Sequence, residues 1–222
     1  MTLEDLIIQF REDADDLVAP YLWDSAWVTR WMDEAQVEAA IRGRLIYEAS
    51  NLSVCEIAVV PGQAVYPLHP ALYEIGRMEF SATSQTMPDI VTLQNREELN
   101  RFQPDWRTKT DDARIRWAIQ DDKRIQLVYK PQAAGLLRIE GYRLPLKALA
   151  DDGDTPEIHA AHHRHLVQWA LHRAFSKPDS ETVDPKRAEL ALMEFTRYFG
   201  ARPDADMRRQ SRPDQPQHNQ PW

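Results

Sequence analysis

The apolar residues Leu3, Leu6, Ile7, Phe10, Ala14 and Leu17 recur at spacings of three and four, the period of one helix face, and Thr2 stands where it can cap the first turn. Pro20 is expected to end this helix, because proline lacks the N–H that the next turn needs. A second helix is predicted after Asp24 and Ser25, either of which can cap it. It carries Trp27, Val28, Trp31, Met32, Ala35 and Ala39 and is expected to reach about Glu48, so residues 1–50 read as a helical hairpin.

After Asn51 the spacing shortens to two: Cys55, Ile57 and Val59, then Ile115, Trp117 and Ile119, then Ile125, Leu127 and Tyr129, then Leu137 and Ile139. Alternation of this kind marks half-buried antiparallel strands. Asp121-Asp122-Lys123 gives a tight connection between two of them, and Pro61-Gly62 and the stretch from Pro131 to Gly135 give further turns. Residues 51–148 therefore predict an antiparallel β-sandwich or barrel-like domain, with one short inserted helix from its cap Asn95 to Phe102.

Asp151, Asp152, Gly153 and Asp154 form a linker to a third helix, expected to open with Thr155 as cap and Pro156 as first residue and to run to about Phe175. The fourth opens after Asp184 with Pro185 in the same role, carries Ala188, Ala191, Leu192, Phe195, Tyr198 and Phe199, and stops at Gly200 and Pro203. Residues 149–200 thus form a C-terminal helical hairpin that packs with the N-terminal helices. Residues 201–222 are an extended polar tail with too few apolar anchors to offset the entropy of ordering, so a partner chain is the expected holder. The fold class is α+β.

Charge and composition narrow the function. The 222 residues carry 27 Lys and Arg against 35 Asp and Glu, a formal charge of -8, and the first 48 hold 11 of the acids against four arginines. Such a molecule repels a phosphate backbone, which disfavours tight nucleic-acid binding. The longest aliphatic run is Ile57 to Val60 and acids begin at Glu4, so neither a membrane span nor a signal peptide is expected, and the chain reads as made and used in a cytoplasm. Cys55 is the single cysteine, which removes disulfides and sites needing two thiolates. Seven glycines form no GxG or P-loop spacing, and no GxSxG or HExxH string occurs. No catalytic residue and no cofactor is assigned.

His159, His162, His163, His165 and His172 raise the idea of a metal site, because imidazoles three or four residues apart on a helix can share an ion. His172 lies roughly 10 Å along the axis from His165, too far for one ion, and a stripe that is exposed or faces another subunit is the expected use. The pairs Asp111-Asp112, Asp121-Asp122 and Asp151-Asp152 sit side by side rather than across a substrate, which argues against acid–base catalysis. Trp27, Trp31, Trp106, Trp117 and Trp169 occupy helix and strand positions that suit core or interface packing. Trp222 has no local core to join. Arg202, Arg208, Arg209 and Arg212 face Asp204, Asp206 and Asp214 in the tail, a slight positive excess suited to docking on an acidic protein surface.

Several strings, in this order, resemble those of phage head-to-tail adaptor proteins: Trp31-Met32-Asp33-Glu34-Ala35-Gln36, Pro61-Gly62-Gln63-Ala64-Val65-Tyr66-Pro67-Leu68, Asp105-Trp106, Thr155-Pro156-Glu157-Ile158, the run from His165 to Leu171, and Phe195 before Gly200. The likeness covers roughly residues 1–200 and extends in role to the tail tubular protein A of short-tailed phages. It implies a non-enzymatic virion component of the neck or tail, assembled in the host cytoplasm. Its copies, usually twelve, would form a ring beneath the portal protein, meet a tail nozzle or other tail component, and let double-stranded DNA pass without specific binding or any membrane partner. On that reading Arg202, Arg208, Arg209, Arg212 and Trp222 are the candidate portal or subunit contacts, and Glu12, Asp13, Asp15 and Asp16 are candidate channel-lining acids. Two other classes stay open: a β-sandwich binding module for carbohydrate or protein with helical additions, and a metal- or acid-dependent hydrolase.

Overall fold

A computed structural model of the chain describes residues 1–83, 87–107, 114–178 and 182–203. It divides into two compact units, one built from residues 1–46 and 143–202 and the other from 47–142.

The first unit is helical. Helix α1, Leu3–Ala14, begins with a capping box in which Thr2 Oγ1 accepts the Asp5 N–H (3.2 Å) and the Asp5 carboxylate accepts the Thr2 N–H (2.9 Å). It ends at Asp15, whose backbone turns left-handed at φ 60, well before Pro20. Leu17 therefore leaves the apolar stripe and is exposed. Helix α2, Ser25–Gly43, is capped by Asp24 and closed by Arg44 at φ 49, so the expected extension to Glu48 does not form and Tyr47–Glu48 becomes strand β1.

The Thr155-Pro156 start signal does not open a helix. Tertiary bonds hold the segment out: the Asp154 carbonyl accepts Leu3 N–H (2.7 Å), the Glu157 carboxylate accepts Leu146 N–H (2.7 Å) and an Arg143 N–H, and Ile158 is buried. A 3-10 turn, Ala160–His162, follows its cap His159 and leads into α5, His163–Phe175. The last helix here, Pro185–Phe199, has Asp184 as cap and Pro185 first, and Gly200 ends it at φ 92 as its pattern requires. Leu3, Leu6, Phe10, Trp23, Met32, Leu166, Ala170 and Phe195 share one core built from both ends of the chain.

The second unit is a sandwich of two sheets. After the short helix α3, Leu52–Cys55, the strands are β2 (Glu56–Val59), β3 (Val65–Pro67), β4 (Leu72–Ala82), β5 (Asp89–Ile90) and β6 (Thr92–Leu93). Helix α4, Arg96–Phe102, follows its cap Asn95, and β7 (Trp117–Gln120), β8 (Arg124–Leu127) and β9 (Gly135–Arg143) complete the set; Pro185–Phe199 is thus α6. One sheet runs β1-β9-β4-β5 with β2 also on β9, the other β3-β8-β7-β6. The pairs β1–β9, β2–β9, β3–β8, β4–β5 and β7–β8 are antiparallel, and β6 runs parallel to β7. The hairpin at Asp121 to Lys123 joins β7 to β8 as its sequence indicates.

Two phase assignments change. Ile115 points to the inter-sheet core while Trp117 and Ile119 join a second cluster with Leu99 and Trp106. Tyr129, at φ 70, also joins that cluster rather than the row of Ile125 and Leu127, because its left-handed backbone redirects the chain. Cys55 is buried at the end of α3, not in a strand.

Strand β9 approaches β4 so closely at Gly141 that an added Cβ would stand 2.2 Å from the Glu74 carbonyl oxygen and 3.0 Å from Ile75 Cα. Backbone cannot yield as a side chain can. Gly141→Ala is expected to cost the β unit about 3 kcal/mol, whereas Gly153→Ala, with nothing within 4 Å of its Cβ, should change little. Urea denaturation followed by a probe in the β unit measures the first, and the same experiment with a helical signal measures the second, because Gly153 lies in the helical unit.

Candidate functional site

Between α1 and α2 the chain makes a loop fastened from beneath by one ion pair. Asp16 accepts from Arg11 Nη1 (2.7 Å) and from the Leu22 N–H (2.9 Å), and both charged side chains are buried. Arg11 also donates to the Trp23 carbonyl (3.2 Å) and to Ser25 Oγ (2.9 Å), and its guanidinium lies 3.6 Å from the centre of the Tyr21 ring. Trp23 then enters the core, edge-on to Phe10 at 5.7 Å and to Phe175 at 5.4 Å.

What this scaffold presents is apolar. Leu17, Val18, Tyr21 and Leu22 are 63%, 79%, 47% and 54% exposed, and Trp27 in the first turn of α2 is partly open, with Lys177 Nζ 3.0 Å from its ring centre. A single exposed leucine means nothing, but several large apolar side chains on one anchored loop mark a contact surface. On α6, Leu190 and Met193 form a second exposed apolar pair one turn apart. Sequence periodicity assigned Leu17 to the core and passed over the rest of the loop. The available signal was five large apolar residues, Leu17, Val18, Tyr21, Leu22 and Trp23, crowded between Asp15 and the cap Asp24.

Of the four acids expected to line a channel, Glu12, Asp13 and Asp15 are exposed. Asp16 departs from that expectation: its carboxylate is spent on Arg11 and the loop backbone and is 4% exposed. At the other end of the chain Arg202 lies 3.5 Å from Glu38 on α2. Arg208, Arg209, Arg212 and Trp222 lie outside the described residues.

The histidines do not form an open stripe. His163 is buried and donates from Nε2 to the Ile158 carbonyl (2.9 Å), and His172 donates from Nδ1 to the Ala188 carbonyl (3.0 Å). His162 and His165 pack under the end of α6: the His165 ring stacks on Tyr198 at 3.5 Å, and the Tyr198 hydroxyl is 3.1 Å from His162 Nδ1. Among the described residues no three His, Cys, Asp or Glu side chains converge as metal ligands would.

Burial, first, lowers the proton affinity of both His162 and His165 below the ordinary 6.5. The positive charge of His159 and His163 adds to this at His162; His162 and Arg164 add at His165, where Glu194 opposes. The unfolded chain then binds these protons more readily than the folded one. The α5–α6 contact keeps its full contribution above pH 6.5 and loses it as pH falls below that value. The melting temperature of the helical unit should therefore drop as pH falls from about 6.5 to 5, and the double change His162→Gln with His165→Gln should flatten the profile. Asp154 is distinct in its window: Lys147 and the N–H groups of Asp151 and Ala150 hold its pKa down to about 2, so its contribution fades only below the usual 3.8.

The other candidates are structural. Trp106 is buried with its Nε1 donating to Asn100 Oδ1 (3.0 Å), and Trp117 is half-buried, so neither is the open platform that a sugar-binding module requires. Asp121 pairs with Arg96 (2.9 Å), and Asp111-Asp112 lie outside the described residues. A groove of about 210 Å³ in the β unit is lined by Cys55, Ile139 and charged groups that bond one another, Arg138 with Glu56 (3.0 Å) and Arg77 with Glu79. No helix among the described residues is long and apolar enough to cross a membrane.

One family model, described as SU10 adaptor protein, matches residues 1–217. No curated protein matches the chain.

Proposed function

The chain belongs to the SU10 adaptor protein family and is a structural adaptor of the phage virion, and from that premise we propose that its copies close into a ring beneath the portal through which double-stranded DNA passes to the tail. An adaptor meets other virion components, the portal and tail among them. The finer reading is that twelve copies form the ring and that the protein carries no catalytic activity.

The observation that carries this reading is the anchored apolar loop. A closed ring needs two different complementary faces on each copy, so that one copy binds the next and the rotation returns to its start. The loop at 17–22 supplies one such face and Leu190 with Met193 on α6 supply another. Exposed Glu12, Asp13 and Asp15 suit a surface that a duplex slides past, because acids release no counterions from DNA and do not hold it. The tail with its arginines and Trp222 reaches for the portal or a neighbouring subunit.

Electron microscopy of the protein assembled with portal and tail from the same virion tests the proposal. A closed ring at the portal exit with Glu12 and Asp13 toward the lumen is the expected image. A protein that stays off the portal, or those acids on the outer rim, would overturn it.

A further inference from the structure

The two exposed apolar faces of the helical unit are bordered by opposite charges. On α6 the exposed residues Lys186, Leu190, Met193 and Arg197 stand at spacings of four, three and four. They form one stripe, about 17 Å long, on the side of the helix away from the buried Ala188, Ala191, Phe195 and Phe199. A cation stands at each end of that stripe, with the apolar pair between them. Glu194 bonds Arg197 (2.6 Å) but leaves its side chain 76% exposed, and Glu189 lies to the side of the row.

The α1–α2 loop has the reverse pattern. Its Leu17, Val18, Tyr21 and Leu22 are bordered by exposed Glu12, Asp13, Asp15 and Asp24, and the nearby Lys177 is held over the Trp27 ring. The loop closes one end of the helical unit, because Trp23 meets Phe175, the last residue of α5. The α6 stripe starts at that end, where Arg187 donates to the Asp13 carbonyl (2.9 Å), but it runs along the flank. End and flank of one packed unit face different ways, so neither covers the other within a copy. Two loops brought together set acids against acids, and two stripes set cations against cations. A loop against a stripe matches both the charges and the apolar surface.

We propose that the α1–α2 loop of one copy seats on the α6 stripe of the next. Val18 and Leu22 lie against Leu190 and Met193, and Glu12, Asp13 and Asp15 face Lys186 and Arg197. The contact is heterologous: every joined pair still has an open loop on one copy and an open stripe on the other, so copies add in one direction until the rotation closes. The inference rests on the ring reading and names the surfaces by which neighbouring copies meet.

Disulfide trapping between exposed positions tests this. Full-length chains carrying Val18→Cys are mixed with chains carrying Leu190→Cys and oxidised; Cys55 is buried, and the parent chain sets the background. The mixed dimer is expected in about tenfold excess over either homodimer. Lys186→Glu with Arg197→Glu in the second chain should remove that excess, a change of the size that two exposed ion pairs give. Adding Glu12→Lys and Asp13→Lys to the first chain should restore it. Random yields of the three dimers, or a mixed dimer indifferent to the charge changes, overturn the inference. A chain carrying both cysteines, oxidised on the portal, should give covalent multimers larger than a dimer. A ring at the portal without them overturns the inference and leaves the ring reading standing. Chains that trap the mixed dimer yet stay off the portal support the contact and overturn the ring reading instead.

Discussion

Asp16→Ala is expected to cost the helical unit about 3–5 kcal/mol, because it leaves the Arg11 guanidinium buried without its counter-charge. Both side chains are under a tenth exposed, so water cannot replace the lost carboxylate. The same change removes the acceptor for the Leu22 N–H, and the backbone from 17 to 22 loses its fastening. Chemical denaturation followed by a helical signal gives the energy, and amide exchange at Leu22 gives the local effect. Arg11→Met combined with Asp16→Ala should recover much of the loss, since no unpaired charge remains. In that pair, recovered stability with a still mobile loop would show that the ion pair serves the shape of the contact surface more than the free energy of the fold.

Trp23→Ala should have an effect of similar size, about 3–5 kcal/mol, by opening a cavity between Phe10 and Phe175. Trp23→Phe is the informative companion. The indole Nε1 is buried with no hydrogen-bond partner among the described residues, so a phenyl ring gives up volume and also removes a donor left without an acceptor there. Its cost should fall well below that of the alanine change. Trp23 and Asp16 belong to one loop, and Arg11 bonds both, so the two losses should not add; the double mutant measured against the single ones supplies the coupling.

Helix starts were the most legible part of the chain. Thr2, Asp24, Asn95 and Asp184 each cap a helix through a side-chain bond to an N–H two or three residues away, and a bond so local is written in a short string. Thr155-Pro156 shows the converse: an equally good string is overridden because Asp154 is held by Leu3 from the other end of the chain and Glu157 by Leu146 and Arg143, outside the string itself. Strand β4, the longest, escaped notice because its buried residues Leu72, Ile75, Met78, Phe80 and Ala82 begin at a helical spacing of three before settling to two. The contact loop was illegible for a related reason. Leu17 continues the α1 spacing, and only the left-handed Asp15 turns it outward. Asp16 likewise reads as one more acid in an acidic stretch until Arg11 is seen to fold over it.

The interruption of the helical unit by residues 47–142 has a consequence for biosynthesis. A nascent chain emerges from its N-terminus, and domains fold as their residues become available. The sandwich can therefore finish on the ribosome while α1 and α2 still lack α5, the helix that covers Phe10, Trp23 and Met32. Until translation passes Phe175, those aromatic and sulfur side chains lack their cover, so exposure to holding chaperones begins once α2 is made and ends only in the final quarter of synthesis.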